Sequence, residues 1–374
     1  MASGKINLVR SSCAMIYTQS LSSQFANRII SVRDSQKRLF SHIFQNGRTH
    51  ASNYSSASVT QLNLSSNQVA TDALDKKCAI EKRSDMFSKE LHRQRNLIPR
   101  VEKIEIQYKG APEEATLLLN KGISTPLDVA QHLSEDLVDQ SGLALVNGEV
   151  WDMGRPLVDD CTVELMHFQM EEPFHINRAF WRSCSFLLGA ALKLVFKEDI
   201  NVLLHSFPAP NVSTGSFIYD ASMNVSDWSA TKEELMAISA AMHRLAEQNL
   251  PFERIVVKQN LAAEMFAENS HKSKQIPAIA KKSKSGDSVT LYRVGNHVDV
   301  SGGPMVGDTS FLGRRCTIAA CHKIDYDGQS LYRFQGVALP KGVLLDHVAF
   351  GLLEKRASKL SEINLHSAQH ASPA

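Results

Sequence analysis

The hydrophobic period changes at Val101, and that change constrains the fold more than any other feature of the chain. From 72 to 100 the sequence is dense in charge. It carries Lys76, Lys77, Lys82, Arg83, Lys89, Arg93, Arg95 and Arg100, with no Gly and no Pro until Pro99. Its apolar residues, Ile80, Met86, Phe87 and Leu91, are sparse. Residues 61–100 therefore read as a charged helical extension, mostly solvated, that docks on something outside the chain. From Val101 onward Ile104, Ile106 and Tyr108 alternate with polar residues, which is the two-residue period of a strand with one face buried.

The strand period then repeats over short distances. Lys109-Gly110-Ala111-Pro112 is a turn, and a second strand runs near Ala115 to Leu119. Thr125-Pro126 reads as a helix start, with Leu127, Ala130 and Leu133 on its apolar face. Strands follow at Leu143–Val146 and near Val163, and Asn147-Gly148 is a hairpin turn into Glu149-Val150-Trp151. Two strands, a helix and further strands between 101 and 170 make a small β-grasp domain.

Residues 171–340 mix helices and strands. Phe180 to Phe196 is apolar on most sides and must be buried, and Phe217–Asp220 is a strand. Thr231 and Glu234 form a capping box for a helix whose Leu235, Ile238, Met242 and Leu245 share a face. Arg254–Lys258 is a strand, and a helix runs from Gln259 to Glu268. Val289–Val294 and His297–Val300 pair around Gly295-Asn296, and Tyr332–Ala338 is a late strand. The fold class is α+β. Residues 341–374 hold an apolar segment (Val343, Leu344, Val348, Phe350, Leu352, Leu353) that packs back as a helix or docks on a neighbouring protein, followed by a polar tail.

Composition narrows the function classes. Net charge is +2, so a nucleic-acid signal must be local rather than global. No apolar run approaches the length of a membrane span. Six cysteines at 13, 78, 161, 184, 316 and 321 show no disulfide framework. Cys316, Cys321 and His322 form the one local cluster with metal-ligating atoms, and a buried thiol is the plainer reading. The first 71 residues hold seven Lys/Arg and a single acid, Asp34, amid many serines. That is the pattern of a mitochondrial transit peptide, assigned with its flexible follow-on to 1–60.

Gly154 to Leu165 resembles the closing strand segment of the TGS domain, a module at the front of threonyl-tRNA synthetases and on some GTPases. Arg182–Gly189 and His297–Met305 resemble the two segments of the synthetase editing domain that carry H-x-x-x-H and C-x-x-x-H. Here those four positions are Arg182, Phe186, Ser301 and Met305. None is a strong zinc ligand, and none offers the imidazole or thiol chemistry of the family. His297 and Asp299 remain nearby, spaced to face the same side of a strand; such a pair is either a base or a structural hydrogen-bonded pair.

About 36 residues follow Ala338, too few for a synthetase catalytic domain. A kept scaffold with vacated seats, behind a mitochondrial address, resembles a family of mitochondrial large-subunit ribosomal proteins related to threonyl-tRNA synthetase. That resemblance implies a structural role in the mitochondrial ribosome of the matrix, with ribosomal proteins and ribosomal RNA of the large subunit as partners. It implies no catalytic residue, metal, cofactor, small-molecule substrate or membrane span. Its rivals are a trans-acting deacylase of mischarged tRNA and an RNA-binding module outside the ribosome. The candidate RNA contacts are Lys89, Arg93, Arg95 and Arg100, together with Lys272, Lys274, Lys281, Lys282 and Lys284, read as a loop broken by Ser and Pro.

Overall fold

The computed structural model describes residues 77–98, 100–197, 199–210, 215–225 and 228–363. The transit-peptide reading at 1–60 and the tail from 364 lie outside the described residues.

Within the charged extension, 77–96 form a helix, α1, whose buried face packs on its own chain. Ser84, Phe87, Glu90 and Leu91 fall on one face, and Phe87 is fully buried in a core shared with Ile255, Val257 and Val298. Two arginines tie it down. Arg83 donates to Met265 O at 2.9 Å and pairs with Glu268. Arg293 lies over the Phe87 ring, 4.6 Å from its centroid, and donates to Ser84 O at 3.2 Å. A stripe only one residue wide suffices because each long cationic side chain covers apolar surface with its stem.

The β-grasp sheet contains β1 (Lys103–Tyr108), β2 (Ala115–Asn120), β3 (Leu143–Val146), β4 (Glu149–Trp151) and β5 (Cys161–Met166), in the order β2-β1-β5-β3-β4. β1 and β5 pair in parallel and the other pairs are antiparallel. The alternation in β1 turns Ile104, Ile106 and Tyr108 inward, where Val129 and Ala130 of α2 (Pro126–Leu133) close the core. Thr125 caps α2 and Asp128 returns the bond to its backbone. Helix α3 (Glu135–Gln140) follows directly. Asn147 and Gly148 both take positive φ, +50° and +79°, as the tight hairpin requires.

The rest of the chain is built around one long helix and two antiparallel sheets. Helix α4 (Phe174–Val195) buries every residue from Ser183 to Leu192. The larger sheet has the order β11-β12-β7-β6, from β6 (Val202–Ser206), β7 (Phe217–Met223), β11 (Leu312–Tyr326) and β12 (Gln329–Pro340). The smaller has the order β10-β9-β8, from β8 (Glu253–Lys258), β9 (Ser288–Val294) and β10 (His297–Val300). Helices α5 (Lys232–Ala246), α6 (Gln259–Met265), α7 (Ser270–Lys281) and α8 (His347–Ala357) complete it. Gly189 is where α4 touches β7: an added Cβ would stand 2.6 Å from a ring carbon of Tyr219.

One sequence expectation needs correction here. The lysine segment 272–284 is not a loop: most of it is α7, capped by Asn269, with Pro277 inside. Pro277 forfeits one backbone donor, but Ile276 and Ala280, four residues apart, are fully buried against the smaller sheet and hold the helix there. The segment after 341 is split. Phe350, Leu353 and Ala357 pack α8 on Val337 and Leu339, whereas Leu344, Val348 and Leu352 stay exposed. Among the described residues, no helix is long and apolar enough to cross a membrane.

Candidate functional site

The fold sets the two segments that carry the vacated seats against each other. Arg182 and Phe186 stand one turn apart on α4, and the 301–305 loop after β10 lies against that face. Arg182 Nη1 donates to Pro304 O at 2.9 Å. Phe186 is fully buried, edge-on to His297 with ring centroids 5.0 Å apart and to Phe252 at 5.9 Å. Met305 is fully buried, its Sδ 3.5 Å from Ser183 Oγ, which also donates to Ala179 O at 2.9 Å and accepts from Val306 N at 3.0 Å. Ser301 Oγ accepts from Gly303 N within its own loop at 3.3 Å.

The loop is locked from its other side. Asp152, from the β-grasp domain, accepts from Met305 N at 2.9 Å and from Tyr292 OH at 2.7 Å. Gly303 takes φ +62°, and a Cβ there would fall 1.9 Å from the Tyr292 hydroxyl oxygen, so only glycine fits. A buried phenyl ring and thioether stand here, with the Arg182 guanidinium beside them. Burying one such apolar side chain stabilises the fold by about 1.5–3 kcal/mol.

His297 and Asp299 do not work as a dyad. Asp299, 1 % exposed, receives Lys272 Nζ at 2.6 Å and the Tyr219 hydroxyl. Burial pushes its carboxyl up, but Lys272 and His297 outweigh burial and leave it below the ordinary value. Burial and then Asp299 drive the Tyr219 hydroxyl well above its ordinary range. His297 Nε2 is sealed from solvent, although the residue as a whole is partly buried, and finds no hydrogen-bond partner among the described residues. The buried, aspartate-bound lysine holds structure and does not reach a solute.

This arrangement predicts an acid response. Burial lowers His297 from its ordinary value of about 6.5 to about 4, and the neighbouring Asp299 only partly opposes it. The unfolded chain therefore takes up a proton that the folded chain refuses. Stability is full above about pH 6.5 and falls as pH drops toward 4, by about 3 kcal/mol for this one group. His205 is lowered to about 4, first by burial and then by His271, and loses stability in the same window. In His297→Leu, urea-unfolding free energies between pH 7 and 4 are expected to fall less steeply than in the parent. An unchanged slope would show that His297 is not held neutral.

The remaining candidates separate. Cys316 is buried and Cys321 partly buried on β11, five residues or roughly 17 Å apart along the strand, too far to share a metal. His322 Nε2 instead faces Ser358 O at 3.0 Å. No group of three or more His, Cys, Asp or Glu suited to a metal exists among the described residues. Of the basic candidates, Lys89, Arg93, Arg95, Arg100, Lys274, Lys281, Lys282 and Lys284 are exposed. Arg93 already grips Glu90 through two bonds of 2.7 Å. Lys272 is corrected: at 3 % exposure and bound to Asp299 it cannot touch a phosphate.

Sequence reasoning missed the charges that matter most to the core. Asp220 and Arg333 sit in apolar strands, directly opposite each other in the β7–β12 register, and form a two-pronged buried ion pair with both bonds 2.8 Å. A lone charge in the middle of each of two apolar strands was the available signal.

Comparison with known proteins agrees with this geometry. Residues 96–167 match the TGS domain. The chain is 50% identical over 290 residues to the large ribosomal subunit protein mL39 of Drosophila melanogaster, covering 77% of this chain and 86% of that protein. It is 33% identical over 193 residues to the probable cytoplasmic threonine–tRNA ligase 1 of Dictyostelium discoideum, and 32% identical over 223 residues to the mitochondrial threonine–tRNA ligase 1 of Arabidopsis thaliana. Those matches cover 51% and 58% of this chain but only 25% and 29% of the ligases.

Proposed function

Because the chain belongs to the mL39 family of large ribosomal subunit proteins, we propose that it serves as a structural component of the mitochondrial large ribosomal subunit, in the matrix, and supports translation without catalysis. The observation that carries this reading is the 50% identity along 86% of the Drosophila protein. The residue types support it: Phe186 and Met305, both fully buried, stand where the resembling editing segments carry histidine, and neither offers an imidazole. Ribosomal proteins and ribosomal RNA of the large subunit are its partners. Sedimentation with that subunit is the direct test.

RNA contact rests on two exposed basic groups. One is Lys89, Arg95 and Arg100 at the end of α1 and just beyond it, with Arg93 beside them. The other is Lys274, Lys281, Lys282 and Lys284 along and after the last turn of α7. Lysines on a flexible stem act as point charges on phosphate and carry no sequence preference. Replacing Lys281, Lys282 and Lys284 by Gln is expected to reduce the salt dependence of binding to large-subunit RNA, with the log–log slope falling by about one per lost contact. A slope identical to the parent's would remove this group from the interface.

A further inference from the structure

Strand β2 ends the β-grasp sheet, so one side of its backbone has no neighbouring strand among the described residues. Lys121 N donates to Glu102 O at 2.8 Å, toward β1, whereas Asn120 turns the other way and gives its N–H to Ser124 Oγ at 3.2 Å. Successive residues of a strand alternate, so Thr116 and Leu118 also point their N–H and C=O groups away from β1. Both residues are exposed, Leu118 by 68%, and their side chains lie on the face away from α2.

This edge lacks the features that keep edge strands from pairing. It reads Ala-Thr-Leu-Leu-Leu-Asn, without a charge or a proline, and its register with β1 runs from Ala115 to Asn120 without a bulge. Other sheet edges are covered by the chain itself. On β11, Ile318 N donates to Ser239 Oγ of α5 and Cys316 O meets His243; on β8, Val256 O accepts from Gln94 of α1. The domain around β2 is acidic: 101–170 hold thirteen Asp or Glu against four Lys or Arg. Three of the four bases are engaged, Lys103 Nζ with Asn120 Oδ1 at 2.8 Å, Lys121 Nζ with Asp159 at 3.0 Å and Arg155 over the Trp151 ring. The fourth, Lys109, shares its hairpin with Glu113 and Glu114.

We propose that β2 accepts a further strand: an extended segment of another large-subunit protein, with aliphatic residues at alternate positions and Lys or Arg among the rest. The backbone groups of Thr116 and Leu118 supply the hydrogen bonds, and the Leu118 side chain meets the aliphatic set. The acidic domain selects the charge. A basic segment is drawn in, whereas RNA phosphate is repelled and has no peptide backbone to pair. A second copy of this chain fits poorly, since pairing two β2 edges would bring two acidic domains together. The inference rests on the ribosomal reading above.

The test compares amide hydrogen exchange of the full chain alone and in assembled mitochondrial large subunits. Leu117 and Leu119, bonded to β1, are expected to be protected in both states. Thr116 and Leu118 should exchange at least about tenfold more slowly in the subunit than in the chain alone. A benzophenone photocrosslinker at Thr116 should then join to one segment of one large-subunit protein, with aliphatic residues two apart and Lys or Arg beside them. Leu118→Pro removes an amide that β1 does not use and should reduce that adduct several-fold; Leu118→Ala keeps the amide and should reduce it less. Unchanged exchange at Thr116 and Leu118 in the parent would overturn the inference whether or not the variants fold. So would adducts to RNA, to a second copy, to residues 1–76 or 364–374 of the same chain, or scattered over several proteins. An acidic partner segment, or equal effects of the two substitutions, would overturn it too. A parent protein that fails to sediment with the subunit would instead remove the ribosomal reading itself, before any crosslink is made.

Discussion

Lys272→Met is expected to destabilise the protein by about 3–5 kcal/mol. Lys272 and Asp299 are 3% and 1% exposed and only 2.6 Å apart, with the Tyr219 hydroxyl on the other carboxylate oxygen. Removing the ammonium leaves a carboxylate buried beside a hydroxyl without its bonded counter-charge. Because the damage lies in the orphaned charge, Lys272→Met/Asp299→Asn should recover more than half of the loss, even though two native groups are then gone. Urea unfolding of the two variants decides the matter. If the single change costs less than about 1 kcal/mol, the triad is not the internal brace that its burial implies.

Arg333→Leu is expected to be comparably severe, again about 3–5 kcal/mol, and to act on two parts of the molecule at once. The guanidinium neutralises Asp220 through two 2.8 Å bonds and also donates to Ile363 O at 2.9 Å. Gln335, next on the same face of β12, donates to Ala357 O and Lys359 O and accepts from Ser361 N, each at 2.8 Å. Together these side chains clasp the irregular segment that leaves α8. Burial already raises Asp220 against the pull of Arg333, so without the arginine the carboxylate must protonate or unfold its surroundings. Hydrogen exchange should accelerate first in 357–363. Gln335→Leu, which removes neutral bonds only, should cost less, about 1–3 kcal/mol. Equal costs would mean that the ion pair has no special weight.

The legible parts of the fold were those written in local pattern. The alternation Ile104, Ile106, Tyr108, the Asn147-Gly148 turn and the Thr231–Glu234 capping box each specify their element without help from the rest of the chain, and each is present in the structure. The two segments were also legible, because residue types at fixed spacing carry over from a resembling family, and the fold does set the Arg182–Phe186 stretch of α4 against β10 and the loop that holds Pro304 and Met305. What failed was whatever depends on long-range partners. Lys272 looks like its neighbours in sequence, and only Asp299, on a strand 27 residues later, makes it a core residue. Pro277 reads as a helix breaker until Ile276 and Ala280 find the smaller sheet. The α1 helix looked solvated because Arg83 and Arg293 conceal, as charges, the apolar cover that they give Phe266 and Phe87.

The central claim is that this editing-like fold serves the ribosome and not a reaction. A sucrose gradient of mitochondrial lysate, run in low and in high salt and probed for this protein, tests it most directly. The account predicts co-migration with the large subunit in both conditions, because an interface with an apolar component survives the screening of phosphate contacts. Protein confined to the top of the gradient in low salt would contradict it.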